Sequence, residues 1–409
     1  MEPAELAAAV ARHYAAVQRD LPWRRSRDPY AIWVSEIMLQ QTRVQTVIPY
    51  WQRWMARFPT VGALADAPLD DVLAAWAGLG YYSRARNLKK GAQAVTARFA
   101  GELPRRAADL REVPGIGPYT AGAIASIAFG ERTPLVDGNV ARVLARAYAI
   151  EHDVKSSAGQ RELWARAGAL VDALPASLPP GDLNQGLMEL GATVCSPTQP
   201  RCLVCPIAAG CAANRRGEQT RFPIALARKR ADELPVLERA ALWLQLGDEL
   251  VLARREPDGL FGGLWELPQA ATRREIERAL GVTANREAVA FHDQTLSHRR
   301  LRIAVFAAPM PRSLVDVRIP GYDALVRVSL ATARGLGVAA ATTSILAKYE
   351  ATPWNHSSIP KPSRSSRKVT RKSSRGSRDS ATASTTRTSA TPPRARRKAS
   401  TSSSTTRSR

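Results

Sequence analysis

Hydrophobic side chains recur at three- and four-residue spacing through the first half of the chain, up to about residue 213. That spacing is typical of amphipathic helices, and prolines and glycines separate the periodic segments in the way that helix boundaries do. The pattern is strongest in residues 32–47, 69–76, 83–99, 119–129 and 139–149. Strand patterns are nearly absent here, so the sequence predicts a mainly α-helical domain over residues 1–213.

The pattern changes beyond a charged, proline-containing connector at residues 214–235. Two short apolar runs, 240–246 and 249–254, are separated by Gly247-Asp248, which is typical of a β-hairpin. A further strand is predicted at residues 302–308 and a helix at residues 273–280. These elements predict a separate α+β domain over residues 236–345.

The last 49 residues have a different composition from the rest of the chain. They are almost all Ser, Thr, Arg, Lys, Pro and Ala, with 15 basic residues against one acid, Asp379, and so carry +14 of the net charge of +23. Such a segment buries too little apolar surface to offset its ordering entropy, which predicts a disordered basic tail at residues 357–409. We expect it to attract nucleic acid non-specifically; a solvated tail without a selected role is the alternative.

Two absences indicate where the protein works. No run of about twenty apolar residues predicts a membrane span. The acidic N-terminus leads into an amphipathic pattern, which is unlike a secretory signal. We therefore expect a soluble intracellular protein. In that compartment cysteines serve as ligands more often than as disulfides.

The four cysteines of the chain, Cys195, Cys202, Cys205 and Cys211, lie within seventeen residues. Four thiolates this close in sequence can surround one metal centre, either zinc or an iron–sulfur cluster. Zinc modules usually pair two C-x2-C knuckles, and this segment has one. The long first gap favours a cluster, but the spacing alone leaves both open.

Two segments suggest chemistry on DNA. Residues 113–117 (VPGIG) have the pattern of a helix–hairpin–helix, in which Gly115 and Gly117 let backbone N–H groups hold a phosphate. Asp137 follows 20 residues after the end of that segment. A carboxylate beside a bound DNA backbone can act on the bond between sugar and base.

The helical half resembles the endonuclease III superfamily of base-excision glycosylases in this hairpin, the Asp137 segment and the four-cysteine loop. Residues 33–42 (WVSEIMLQQT) and 78–84 (GLGYYSR) narrow the resemblance to adenine DNA glycosylases of the MutY type. It covers about residues 20–350 and implies two helical subdomains, with a 4Fe–4S cluster held by the loop at residues 195–211. It also implies excision of adenine mispaired with 8-oxoguanine or guanine in duplex DNA by a monomeric repair enzyme. We expect such an enzyme to be cytoplasmic, of bacterial type and associated with the nucleoid.

Base excision needs an acid for the departing base and a carboxylate facing the cation that develops on the sugar. Glu36 lies in an apolar stretch, where desolvation should raise its pKa, although an exposed helix glutamate is the ordinary alternative. The resemblance implies that Glu36 protonates N7 of adenine. It implies that Asp137 stabilises the oxocarbenium-like sugar and that Asn139 orients water or the carboxylate; from the residues alone, Asp137 is equally a helix N-cap.

Strand-cleaving relatives carry a lysine two residues after the last hairpin glycine, where it forms a Schiff base. This chain has Tyr119 at that position, which implies a monofunctional glycosylase. By resemblance Tyr119 hydrogen-bonds Asp137; the alternative is a packing tyrosine at the start of a helix.

An enzyme that acts on a base in a duplex must flip it out of the stack. The resemblance implies that Gln41 and Tyr81 wedge into the duplex. From the residues alone, both are ordinary polar residues of a helix or loop. The nearby Arg84, Arg86, Lys89 and Lys90 suggest either a phosphate-binding face or a solvated helix face.

Residues 260–268 (LFGGLWELP) resemble the lesion-reading domain of this family, which is related to Nudix hydrolases. The helix of metal-binding glutamates is reduced to Glu275 and Glu277, so we expect binding without nucleotide hydrolysis. Ser297 and His298 match the loop that contacts 8-oxoguanine, with Leu296 where the family has phenylalanine. From the residues alone this segment is a polar turn.

Two rival functions remain at this stage. One is a related glycosylase that removes thymine or uracil, which the Glu36 segment disfavours because a pyrimidine has no N7. The other is a non-catalytic lesion sensor, which the presence of both Glu36 and Asp137 disfavours.

Overall fold

The computed structural model of the protein describes residues 2–224, 231–296 and 298–351. Ser297, part of the predicted connector and the predicted basic tail lie outside these residues. Among the described residues, no helix is both long and apolar enough to cross a membrane.

The first half is helical, as the hydrophobic spacing predicts. Its helices are α1 (Pro3–Val17), α2 (Pro29–Leu39), α3 (Val44–Arg57), α4 (Val61–Asp66), α5 (Leu69–Trp76), α6 (Ser83–Phe99), α7 (Ala107–Leu110), α8 (Pro118–Phe129), α9 (Gly138–Ala147), α10 (Ser157–Ala173), α11 (Pro180–Thr193) and α12 (Ala212–Arg216). The predicted mainly helical first half is confirmed.

These helices pack around two large hydrophobic clusters. The first surrounds the indole rings of Trp33, Trp54 and Trp76, which are all at most 1 % exposed. Trp54 and Trp76 meet edge to face with centroids 5.4 Å apart, an arrangement that adds about 0.5–1.5 kcal/mol to the burial of their area. The second cluster is aliphatic and joins α1, α9, α10 and α11, with Val10 and Leu144 buried within it. The two clusters correspond to two helical subdomains.

The prediction of one helix over residues 32–47 is wrong. α2 ends at Leu39 and α3 begins at Val44. Between them Gln41 has φ +56°, a left-handed conformation that a right-handed helix cannot contain. The hydrophobic spacing runs on across this turn, and for that reason the pattern alone predicted no break.

The segment at residues 113–117 joins α7 to α8 as a tight hairpin. Gly115 has φ +84°, and a Cβ atom there would lie 2.8 Å from Cβ of Asn87. Both facts require glycine. Gly117 is the N-cap of α8 and Pro118 is its first residue, so the hairpin leads directly into a helix N-terminus, where free N–H groups favour anions.

The C-terminal domain contains a mixed sheet flanked by helices. Its elements are β1 (Val236–Leu246), β2 (Glu249–Arg255), β3 (Trp265–Glu266), β4 (Gln269–Ala270), α13 (Arg273–Leu280), β5 (Ala290–Thr295), β6 (Arg300–Ala308), β7 (Tyr322–Ser329), α14 (Leu330–Gly335) and α15 (Ala340–Ala351). The main strand order is β3-β2-β1-β6-β5, with β4 beside β1 and β7 beside β2. β1 and β6 are parallel, and the other pairs are antiparallel. The predicted α+β fold and its β1–β2 hairpin are confirmed.

The C-terminal domain packs against α5 and α6. The Arg86 guanidinium donates a hydrogen bond to the carbonyl of Gly262, and the Tyr82 hydroxyl donates to the carbonyl of Val338 at 3.3 Å. Leu264 and Ala339 are buried in the tryptophan-rich cluster of the helical half. The segment that resembles the Nudix signature therefore helps to join the two halves.

Two glycines in the middle of helices offer a matched test of how closely α6 packs against the hairpin at residues 113–117. A Cβ atom on Gly91 in α6 would lie 2.7 Å from the carbonyl oxygen of Pro114 and 2.8 Å from Trp33, whereas one on Gly168 in α10 would meet nothing within 4 Å. We expect Gly91→Ala to lower the free energy of unfolding by about 1–3 kcal/mol through overpacking. Gly168→Ala should raise it by about 0.5–1 kcal/mol, because alanine loses less backbone entropy. Thermal unfolding measures both, and a Gly91→Ala variant stabilised as much as Gly168→Ala would contradict the close approach of α6 to the hairpin.

Candidate active site

Glu36 lies on α2, whose residues 30–38 are all buried. Its side chain is 6 % exposed. Burial raises the pKa of Glu36 to about 7, the charge of Asp137 acts in the same direction, and Tyr119 and Arg24 oppose the rise. A carboxyl with this pKa can hold or release a proton near neutrality, which suits a general acid.

Asp137 is the N-cap of α9. Its Oδ1 accepts the N–H of Val140 at 2.7 Å, and its Oδ2 accepts Nδ2 of Asn139 at 3.0 Å. Burial raises the pKa of Asp137, and these two hydrogen bonds oppose the rise because they favour the charged form. Asp137 is thus a helix N-cap, which does not exclude the site role that the resemblance implies.

The predicted hydrogen bond between Tyr119 and Asp137 is wrong. The Tyr119 hydroxyl donates instead to Oε2 of Glu36, and it also lies 3.4 Å from Sδ of Met188. Burial raises the pKa of the Tyr119 hydroxyl well above its usual range, so it remains a donor. α8 packs so that this side chain points towards α2. The sequence alone does not show which helix α8 faces.

Five of the predicted residues line one cavity of about 630 Å³, which is the size of a typical small-ligand site. They are Glu36, Gln41, Tyr119, Asp137 and Asn139. Elements distant in sequence contribute to it: α2, the turn after it, α8 and the start of α9. Tyr81, Gly115, Gly117 and His298 are not among its lining residues.

A cluster of charges on the same cavity is absent from the sequence-based prediction. Glu189, 5 % exposed, accepts Nε of Arg19 at 2.6 Å and an Nη of Arg24 at 2.8 Å. Burial alone would raise the pKa of Glu189, but these two arginines lower it, so the carboxylate is ionised. Its position among the leucines of α11 is the only sequence signal, since a charged residue on an apolar helix face needs a partner.

The two predicted wedge residues share an unusual backbone conformation. Gln41 has φ +56° and Tyr81 has φ +47°, and both side chains are exposed, Tyr81 by 51 %. A left-handed conformation costs a residue with a side chain about 1–2 kcal/mol. Such strain persists only where surrounding contacts hold it, and it is concentrated at functional sites.

Of the four basic residues of α6, only Lys90 lies on an exposed face that could bind phosphate or face solvent. The other three bind the protein itself. Arg84 and Arg86 donate to backbone carbonyls of the protein, and Lys89 donates to the carbonyls of Ala65 and Ala67. Lys90 is exposed. Three of the four charges therefore hold loops of the protein in place.

All four cysteines line a second, small cavity, and none forms a disulfide. Arg146, which is 2 % exposed, ties their loop to α9: it donates to the carbonyls of Ser196 and Pro197 and lies 3.3 Å from Sγ of Cys195. Within the described residues, no three His, Cys, Asp or Glu side chains group closely enough for a single metal ion. Four thiolates around one cavity are a donor set that either zinc or an iron–sulfur cluster can use.

The proposed lesion-reading loop is partly described. His298 is exposed in the connection between β5 and β6. Leu296 packs against the core of the C-terminal domain, and Ser297 lies outside the described residues. The side chain that replaces the family's phenylalanine thus contributes to the domain core.

Both glutamates of α13 have structural partners. Glu275 forms a capping box with Thr272. Glu277 accepts the N–H of Ala284 at 2.8 Å and lies 3.7 Å from Nε of Arg273. Both carboxylates thus stabilise the local structure around α13.

Two family models match the chain. The model of the HhH-GPD superfamily of base excision DNA repair proteins matches residues 34–167, which include Glu36 and Asp137. The model of the NUDIX domain matches residues 239–348. An adenine DNA glycosylase of Buchnera aphidicola subsp. Baizongia pistaciae (strain Bp) is 35% identical over 259 residues, which are 63% of this chain and 72% of the relative. The chain belongs to the adenine DNA glycosylase family.

Other members of the adenine DNA glycosylase family are longer. The Homo sapiens protein is 42% identical over 306 residues, covering 62% of this chain and 55% of the relative. The Rattus norvegicus protein is 51% identical over 218 residues, covering 51% of this chain and 42% of the relative. The chain thus spans about half the length of these curated relatives.

The contact between Tyr119 and Glu36 predicts how the pKa of Glu36 changes when the Tyr119 hydroxyl is removed. Tyr119→Phe removes a hydrogen bond that lowers the pKa of Glu36, so that pKa should rise above about 7. A carboxyl ¹³C titration measures it, with Glu36→Gln identifying the signal. Tyr148→Phe, which alters a hydroxyl outside this cavity, should leave the titration unchanged. A lower pKa in Tyr119→Phe would contradict the assigned contact.

Proposed function

We propose that this chain is a monofunctional DNA glycosylase of base-excision repair, which hydrolyses the N-glycosidic bond of adenine paired with 8-oxoguanine or guanine in duplex DNA. The observation that carries the proposal is the meeting of Glu36 and Asp137 in one cavity, each with a pKa raised by burial. Two carboxyls in unlike environments suit acid-assisted cleavage of a glycosidic bond. Family membership supports adenine as the base.

Glu36 supplies the proton. A pKa of about 7 leaves a large fraction of its carboxyl protonated at neutral pH. Tyr119 donates to Oε2, so Oε1 is the oxygen that carries the proton towards N7 of an adenine in the cavity. Protonated adenine is a far better leaving group, and a positioned acid of this kind typically contributes about 10²–10⁴-fold to a rate.

Asp137 faces the cation that develops on the sugar. Val140 and Asn139 hold both of its oxygens, so the carboxylate is oriented before the substrate arrives. It stabilises the oxocarbenium-like sugar either by charge or as a transient ester, and water completes the hydrolysis.

The product is an abasic site in an uncut strand. No lysine is among the residues that line the described cavity, and Tyr119 cannot form an imine with the sugar. Glu189, Arg19 and Arg24 line the same cavity, where a carboxylate acceptor and guanidinium donors are available to the amino group and ring nitrogens of an adenine.

The partner is duplex DNA carrying the mispair, bound by a monomer in the bacterial cytoplasm. The hairpin at residues 113–117 binds a phosphate, and Gln41 and Tyr81 enter the duplex when the adenine is extruded. His298 and the neighbouring Ser297 contact 8-oxoguanine. The segment at residues 357–409 adds non-specific attraction to DNA.

The same proposal includes a 4Fe–4S cluster held by Cys195, Cys202, Cys205 and Cys211, the donor set that lines one cavity. When bound, the cluster fixes the shape of its loop. Arg146 of α9 donates to carbonyls of the loop, and Asp137 is the N-cap of the same helix. One helix therefore joins the cysteine loop to the proposed catalytic carboxylate.

Asp137→Asn tests the reaction with little effect on the fold, because asparagine is also a good N-cap. We expect single-turnover excision from duplexes with A·8-oxoG or A·G pairs to fall by about 10²-fold or more, with DNA binding retained. The wild-type protein should cut the strand only after alkali treatment and should spare T·G and A·T pairs.

Other outcomes would overturn parts of the proposal. Strand cleavage without alkali would identify an amine nucleophile. Excision from T·G would favour a different base, and tight binding without any excision would favour a lesion sensor.

Cys202→Ser tests the cluster. The purified wild-type protein should contain iron and acid-labile sulfide in equal amounts, and Cys202→Ser should lose most of both. Ser196→Ala, a change in the same loop at a residue that donates to the carbonyl of Gln199, should keep them. Zinc in place of iron would overturn the cluster.

A further inference from the structure

Arg84 lies between the two turns that carry the wedge residues. It is 9 % exposed, and its guanidinium reaches the turn after α2 from one side. One Nη donates to the carbonyls of Ile37 at 2.9 Å, Met38 at 3.0 Å and Gln40 at 2.5 Å. The other Nη donates to Oγ1 of Thr42 at 3.2 Å. Arg84 thus binds the residues on both sides of Gln41.

The same guanidinium binds the turn after α5. The Nη that contacts Thr42 also donates to the carbonyls of Leu79 at 3.0 Å and Gly80 at 3.2 Å. The guanidinium carbon lies 5.7 Å from the ring centroid of Tyr81 and 5.2 Å from that of Trp76. Arg84 therefore contacts the second wedge residue directly and the two residues before it.

Only arginine has the donor geometry for this position. Its planar guanidinium presents several N–H groups in fixed directions, whereas lysine offers one compact ammonium. The carbonyls that it binds belong to the last turn of α2 and to the turns beyond α2 and α5, where helix ends leave acceptors without partners. Losing Arg84 would free both turns at once.

We propose that Arg84 is a positioning residue that joins the Gln41 turn and the Tyr81 turn into one rigid unit, so that both side chains enter the duplex in a single step. This inference rests on the proposed function, since it assumes that the protein extrudes a base. Gln41 and Tyr81 both have a left-handed backbone, and the Arg84 side chain donates hydrogen bonds to residues adjacent to each of them.

A double-mutant cycle tests the coupling. With Arg84 present, Gln41→Ala and Tyr81→Ala should each slow single-turnover excision, and the double variant should be little slower than the slower single variant. In an Arg84→Lys background the two effects should multiply, because the turns then move independently. Arg84→Lys alone should slow excision by about 10- to 100-fold, the scale of a small misplacement of catalytic or substrate groups.

Arg132→Lys is the matched control. Arg132 also donates to three backbone carbonyls, those of Val171, Asp172 and Leu174 at the end of α10, and it does not line the cavity. Both lysine variants should lose thermal stability, whereas only Arg84→Lys should reduce the fluorescence rise of 2-aminopurine placed at the target position, which reports base extrusion.

The outcomes separate this inference from the function. A wild-type protein that excises no base would overturn the proposed function. A wild-type protein that excises adenine, with Arg84→Lys behaving like Arg132→Lys or with the cycle unchanged by Arg84→Lys, would overturn only the role of Arg84.

Discussion

Burial of one carboxyl is the constraint on which the active site depends. Glu36 sits on a helix whose residues 30–38 are all buried, so its carboxyl meets little bulk water and its pKa rises to about 7. The bond from Tyr119 and the charge of Arg24 limit that rise. A more exposed α2 would return Glu36 to an ordinary acid, ionised at neutrality and unable to donate a proton.

Several arginines in the described part of the chain donate hydrogen bonds to the protein's own backbone. Arg84 holds the wedge turns, Arg86 joins the two halves, Arg132 binds the end of α10 and Arg146 secures the cysteine loop. Each satisfies backbone carbonyls that helices and turns leave without partners. Net charge alone therefore overstates the surface that is free to bind phosphate.

The C-terminal domain docks on the helical half through buried side chains. Glu275 and Glu277, which a metal site would need, cap α13 and bind Ala284, and Leu264 fills part of the core of the helical half. This docking places the C-terminal domain against α6, the helix that begins beside Tyr81 and carries Arg84. The C-terminal domain, which we propose reads the lesion, and the two turns that we propose enter the duplex therefore contact the same helix.

Local pattern by itself determined the helical half, the β1–β2 hairpin and the boundaries of α5, α6 and α13. It also determined the types of residue that the chemistry needs. These features depend only on spacing and on neighbours in sequence. Only the tertiary structure decided that Tyr119 binds Glu36, that Glu189 shares the cavity, and that the helix predicted at residues 32–47 breaks at Gln41. Each of these depends on which helix faces which, and on contacts such as those of Arg84 that join segments about forty residues apart. Spacing along the chain carries no record of such contacts.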